Sequence, residues 1–186
     1  MRTLRAAITT ATLVALTGSG CIGATPLPLG PSAGATSGFL TYHDTTFGFR
    51  IEYPPDWSAQ AGTEGTVVTF LSSGATGGFA SSVAVQAEGL SDPSQTLQRY
   101  ADVWLSEQAR SISGYRLVSS DPGVLSDRSA QRVTYMGQLG TIDLRWEAVL
   151  VVDRGRAFAL TFVAAPDRFD GEFATAEAII QSFALD

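Results

Sequence analysis

Residues 130–163 read AQRVTYMGQLGTIDLRWEAVLVVDRGRAFALTFV, and this stretch decides the fold class. It divides into three runs rich in β-branched, aromatic and aliphatic residues: Ala130–Met136, Thr141–Val152 and Arg156–Val163. The joins are Gly137-Gln138-Leu139-Gly140 and Asp153-Arg154-Gly155. Links this short cannot carry a parallel crossover, so the three runs form antiparallel hairpins, a meander.

On the N-terminal side, the pattern predicts strands at Phe39–Tyr42 and Phe47–Tyr53, with Thr45, Thr46 and Gly48 around the turn between them. In the second strand Phe47, Phe49, Ile51 and Tyr53 alternate with Gly48, Arg50 and Glu52, the period-2 signature of one buried face. Pro54-Pro55 ends it, and Trp57 follows as a core plug. Thr66–Leu71 and Ser82–Ala87 read as strands joined by the loose loop SSGATGG.

Asp92-Pro93 reads as a helix start, N-cap followed by proline in the first turn. Leu97, Tyr100, Ala101, Trp104, Leu105 and Ile112 then fall on one apolar face, with Gln108 the polar exception and Gly114 the C-terminal cap. Tyr115–Ser120 reads as a strand and Asp121-Pro122-Gly123 as a turn. Beyond the meander, Phe169, Phe173, Ala176, Ile180 and Phe183 mark a second amphipathic helix from about Pro166 to Gln181. Hairpins with helices in only two places give the class α+β.

The order of these elements resembles the PsbP family. The opening segment Thr45-Thr46-Phe47-Gly48-Phe49-Arg50-Ile51-Glu52-Tyr53-Pro54-Pro55-Asp56-Trp57 is similar to that family's aromatic strand followed by Tyr-Pro-x-x-Trp. The meander at 130–163 and the closing Ile179-Ile180-Gln181-Ser182-Phe183 complete the likeness, over about residues 40–185. The resemblance implies an α/β/α sandwich: a central antiparallel sheet of about six or more strands with two main helices. The family's plant member is an extrinsic subunit of photosystem II that supports the manganese cluster and the retention of calcium and chloride. Cyanobacterial relatives are lipoproteins, and many bacterial relatives have no assigned activity. The resemblance therefore implies a non-enzymatic accessory role more strongly than photosynthesis. No ion-binding residue can be carried over position by position.

The N-terminus carries an address. Arg2 and Arg5 precede the 11-residue apolar run Ala6–Leu16, too short to span a bilayer and suited to a signal-peptide core. Thr17-Gly18-Ser19-Gly20 and then Cys21 resemble a bacterial lipobox, although Gly18 stands where leucine is commonest. The expectation is a signal peptide at 1–20, a lipidated Cys21, a flexible tether to residue 38 and one PsbP-like domain at 39–186. The tether IGATPLPLGPSAGATSG is uncharged and rich in Gly, Pro, Ser, Thr and Ala. Its reach is about 20–25 Å. The protein would sit on the extracytoplasmic face of the cell membrane, or on the periplasmic face of the outer membrane in a diderm. Ile22 is not the Asp associated with inner-membrane retention.

Cys21 is the only cysteine among 186 residues, so no internal disulfide can form. The 12 basic residues are all arginine, against 18 Asp and Glu, and removal of residues 1–20 with Arg2 and Arg5 moves the net charge from −6 to −8. An acidic domain excludes nucleic acid as the expected partner and disfavours docking on anionic lipid. Hydrophobic residues make up 45%, enough for a packed core.

Catalytic chemistry is harder to find. His43, the only histidine, adjoins Asp44, but neighbours on a strand face opposite ways, so it reads as a surface histidine near a strand end. No second His or Cys stands in the folded region to build a zinc or copper site, and no G-x-S-x-G accompanies His43. Gly74, Gly77 and Gly78 do not make a phosphate loop. Asp143, Arg145 and Glu147 alternate with Ile142, Leu144 and Trp146. They read either as a solvated or edge face, or as a partner-contact surface with Arg145 as its anchor. Trp104 and Trp146 fit buried faces. The resulting expectation is no cofactor, no metal, no enzyme activity and a monomeric domain. The protein would be a membrane-tethered accessory, assembly or binding module for a larger membrane complex. A small-ligand or ion carrier is the alternative and an enzyme the third reading.

Overall fold

The computed structural model describes residues 38–63, 65–76 and 79–186, so the expectations for the signal peptide, Cys21 and the tether lie outside the described residues. In chain order the elements are β1 (Leu40–Asp44), β2 (Phe49–Tyr53), β3 (Ser58–Ala61), β4 (Thr66–Thr76) and β5 (Phe79–Gly89). Then come α1 (Leu97–Ser111), β6 (Ser113–Leu125), β7 (Arg128–Leu139), β8 (Ile142–Asp153) and β9 (Arg156–Ala164). α2 (Pro166–Gln181) and β10 (Ala184–Leu185) complete the chain.

The predicted meander forms β7, β8 and β9, antiparallel and without a register shift. Its turns are two residues each. At Arg154-Gly155 the φ angles are 47° and 74°, and this paired left-handed conformation matches the right-handed twist of flanking strands. The meander sits inside a seven-stranded sheet of order β3-β4-β5-β9-β8-β7-β6, with every neighbouring pair antiparallel. β1, β2 and β10 form a second, three-stranded sheet. The architecture is an α+β sandwich, as expected. The second sheet is an addition.

Period-2 alternation splits the large sheet into two faces. On one, Val83, Val85, Val149, Val151, Phe158, Leu160 and Phe162 pack against Phe169, Ala176, Ile179 and Ile180 of α2 and against Phe49, Ile51 and Tyr53 of β2. On the other, Val133, Tyr135, Leu144, Trp146, Ala148 and Leu150 pack against Tyr100, Ala101 and Trp104 of α1. Trp57 joins the first core, and Trp104 and Trp146 the second, as their positions in the sequence imply. Tyr135 stacks on Trp146 with ring centroids 5.3 Å apart.

Several boundaries move for identifiable reasons. α1 starts at Leu97, capped by Thr96, whose hydroxyl accepts from the Arg99 amide. Asp92 instead closes a local turn by accepting from the amide and hydroxyl of Ser94. Gly114 has the positive φ of a cap residue, but it lies within β6, and Ile112 ends the helix in an extended conformation. Asp121-Pro122-Gly123 is not a turn. β6 runs through it to Leu125, and the turn falls at Ser126-Asp127, with φ of 52° and 56°. Proline is tolerated there because β6 is an edge strand with one unpaired side. Phe47 lies in the β1–β2 turn, where its amide donates to Asp44. β4 extends through part of the expected loop, with its pairing to β5 broken between Leu71 and Ala75. β3 and β10, of four and two residues, are too short to show a period.

Candidate functional site

Asp143, Arg145 and Glu147 lie on β8, which has β7 and β9 on either side and is not an edge. They share the face of Val149 and Val151, the side of the sheet that α2 packs on. This corrects the expectation of an edge face, and the solvated reading holds for Asp143 but not for buried Glu147. The three residues do not act as a unit. Asp143 is exposed and accepts from the Gln138 amide at 2.9 Å. Arg145 lies over the Phe169 ring, its guanidinium carbon 4.1 Å from the centroid, and donates to Asp170 of α2 at 3.1 Å. Glu147 is 5% exposed and is held by Arg132 from the neighbouring strand.

Arg132 is the centre of this arrangement. It contacts Glu147 through Nη1 and grips Glu177 of α2 with both terminal nitrogens at 2.8 Å. Gln181, one turn on, donates to the same Glu177 carboxylate. The planar guanidinium thus pins the helix to the sheet through a two-point contact. The carboxylates respond in opposite directions. Burial raises Glu147 above the ordinary carboxylate range, and Arg132 offsets this only in part. Burial also pushes Glu177 up, but hydrogen bonds from Arg132 and Gln181 outweigh it and leave Glu177 below that range.

A second cluster closes the opposite end of the meander. Asp153 is reached by Arg128 at 2.8 Å, Arg156 at 3.5 Å and Arg154 at 3.8 Å. The hydrogen bond from Arg128 leads in lowering its pKa. Arg156 also donates to the Phe47 carbonyl, which ties the small sheet's turn to the large sheet. At the start of α2, Arg168 pairs with Glu172 and reaches the Gly74 carbonyl across to β4. Under α1, the Tyr100 hydroxyl donates to Glu88, and burial and that negative charge raise the phenol's pKa.

His43 and Asp44 diverge as expected. His43 is half exposed and lies 2.8 Å from Asp186, while Asp44 accepts from the Phe47 amide at 2.6 Å. Among the described residues no group of three or more His, Cys, Asp or Glu is placed to hold a metal ion. No described helix is long and apolar enough to cross a membrane. Of Gly74, Gly77 and Gly78, the last two lie outside the described residues.

Sequence reading missed Arg132, Glu177, Asp153 and Arg128. Their pairings join residues 25 and 45 positions apart, and no local spacing marks them. The pairs within α2, Arg168 with Glu172 and Glu177 with Gln181, do carry the i,i+4 signature.

Among solved structures, the sandwich matches cyanobacterial PsbP from Synechocystis with a TM-score of 0.63 and 18% identity, covering 86% of this chain and 99% of that one. The fold is PsbP-like. LpqN, described as involved in cell envelope biogenesis of Mycobacterium tuberculosis, aligns with a TM-score of 0.58 and 14% identity, over 79% of this chain and 90% of that one. A protein of unknown function from Pseudomonas aeruginosa aligns at 0.56 and 15%, over 77% and 94%. No family model and no curated protein matches the sequence. The PsbP-like fold thus occurs in proteins described in quite different terms, and the likeness establishes architecture alone.

Proposed function

We propose that the protein is a non-enzymatic lipoprotein, anchored through Cys21 on the extracytoplasmic side of a membrane, whose PsbP-like domain is an accessory or assembly module for a larger membrane complex. The observation that carries this reading is the placement of the lone cysteine. It follows two arginines, an 11-residue apolar run and four small residues, and it precedes an uncharged stretch leading into the domain. Two acyl chains at such a cysteine give firm anchoring where one is marginal.

The use of charge in the domain supports a binding role over catalysis. Glu147 and Arg132 are committed to holding α2, and Arg145 to Asp170 and Phe169. Asp143 and the open side of Arg145 remain as contacts for a partner, with Glu147 behind them fixing the helix that Arg145 leans on. Fractionation with and without Cys21→Ser tests the anchor. Wild type should partition with membranes and the variant should not, and a variant recovered acylated in the membrane fraction defeats the anchor. Affinity capture of the detergent-solubilised protein tests the module. A stoichiometric partner weakened by Arg145→Ala is expected, and repeated recovery without one would overturn the accessory role.

A further inference from the structure

The two edges of the seven-stranded sheet are unequal. β3 has four residues and β6 thirteen. An edge strand presents a row of unpaired backbone N–H and C=O groups, ready to pair with another strand. Of the five large hydrophobic residues exposed among the described residues, three lie on β6: Leu117 at 45%, Val118 at 48% and Val124 at 67%. Arg116 and Asp121 flank the centre of the strand, both exposed. Neither forms an ion pair among the described residues, and the hydrogen bond of the Arg116 side chain goes to the Met136 sulfur at 3.0 Å.

In a regular strand, residues five apart point to opposite faces. Here the register with β7 shifts between Leu117 and Ser119, so Val118 is an extra residue and the alternation changes phase. Arg116 lies opposite Met136 and Asp121 opposite Arg132, and these partners are four apart on β7, which pairs with β8 without a break. Arg116 and Asp121 therefore share the α2 side of the sheet. By the same reasoning Leu117 and Ser120, opposite Tyr135 and Val133, share the α1 side. A two-fold axis through the edge between Val118 and Ser119 would set Arg116 against Asp121 of a second copy, and Leu117 against Ser120, each on matching faces and each twice.

We propose that two copies of this chain associate through antiparallel pairing of their β6 edges over residues 116–121, joining two seven-stranded sheets into one. The occupant is a second copy because the charge pattern of the strand complements itself in that register. Pro122, with no N–H to donate, ends the paired segment. Direct cross-strand opposition of unlike charges stabilises such a pair, and like charges there destabilise it. A dimer takes the place of the monomer expected from the sequence.

Sedimentation equilibrium of the full chain bearing Cys21→Ser, over a wide concentration range, tests this. The average mass should rise with concentration to twice the monomer value. Arg116→Asp should return it to the monomer value, and Arg116→Asp combined with Asp121→Arg should restore the doubling. Circular dichroism checks folding. If Arg116→Asp fails to fold, Val118→Lys takes its place and should also abolish the doubling. A monomer at every concentration overturns the proposal. So does a dimer indifferent to Arg116→Asp or to Val118→Lys, or a charge-swapped chain that stays monomeric.

Discussion

The two faces of the large sheet are closed in different ways. The α2 side carries a helix and a second sheet, and Arg132 and Arg145 of the large sheet are paired with Glu177 and Asp170 of α2 across that junction. The α1 side carries one helix, which packs on β6, β7 and β8. Its core holds Tyr100 and Trp104, with Trp104 edge-on to Tyr135 and Tyr135 stacked on Trp146. Over β4, β5 and β9 that same side shows Thr69, Leu71, Ala84, Gln86, Thr161 and Val163 only half buried, with no charge among them. One face is held by apolar packing plus directional pairs. The other is held mainly by packing, with the Tyr100 hydroxyl bonded to Glu88, and leaves an uncharged area around Thr69, Ala84 and Thr161 in contact with solvent. A sheet can thus be a finished core on one side and an accessible surface on the other, because alternate residues of each strand answer to different layers.

The contrast is sharpest within β9, where Phe162 and Thr161 are neighbours. Phe162 is fully buried against Phe169 and Phe173. Phe162→Ala should cost about 3–5 kcal/mol in denaturant unfolding. A loss below about 1 kcal/mol would mean that the α2 side tolerates a void, and the contrast would fail.

Arg132→Met should cost about 2–3 kcal/mol, less than a fully buried broken pair because Arg132 is 27% exposed. The loss comes mainly from leaving Glu147 without its cation. Adding Glu147→Gln should therefore recover part of it, and a double-mutant cycle measures the coupling. Strict additivity would show that the cluster does not act as one.

The pH dependence of stability separates the carboxylates. Asp153 and Glu177 have folded pKa values below their unfolded ones. Their stabilisation is present above the unfolded values and is lost as pH falls through the folded ones. Glu147 is shifted upward, so its contribution has the opposite sign and weakens the fold as pH rises through the range between its unfolded and folded values. Asp153→Asn should flatten the acid side of a melting-temperature profile below about pH 4. An unchanged profile would exclude Asp153 as a source of acid sensitivity.

Thr96→Ala should cost about 1 kcal/mol, with Asp92→Ala leaving the unfolding midpoint nearly unchanged, since Thr96 is the residue that caps α1. The smallest effect is expected for Thr161→Lys, within about 1 kcal/mol, because a long side chain can lie across the open area and keep its charge in water. A large loss there would show that this area is closed in solution.

The meander was legible because its signal is local. Turn residues such as Arg154-Gly155 lie directly between runs of strand-forming residues, and alternation marks the buried faces. The helix bodies were legible for the same reason, and so was the fate of Trp57, Trp104 and Trp146. Ends were less so. Asp92-Pro93 and Asp121-Pro122-Gly123 carry sound turn and cap chemistry, yet Thr96 caps α1 and β6 runs straight through its proline at the open edge. The candidate site was hardest. Glu147 is marked by sequence as one of three alternating charges, but nothing near it names Arg132 or α2 as its destination.

Period, composition and the chemistry of single residues were enough to give the class of the domain and its core-facing positions. Tertiary structure alone decided the second sheet, the order of strands and the partners of Arg132 and Asp153. It also decided that Arg145 and Glu147 face a helix rather than water. Those outcomes depend on which distant surfaces come together, and no local pattern encodes that.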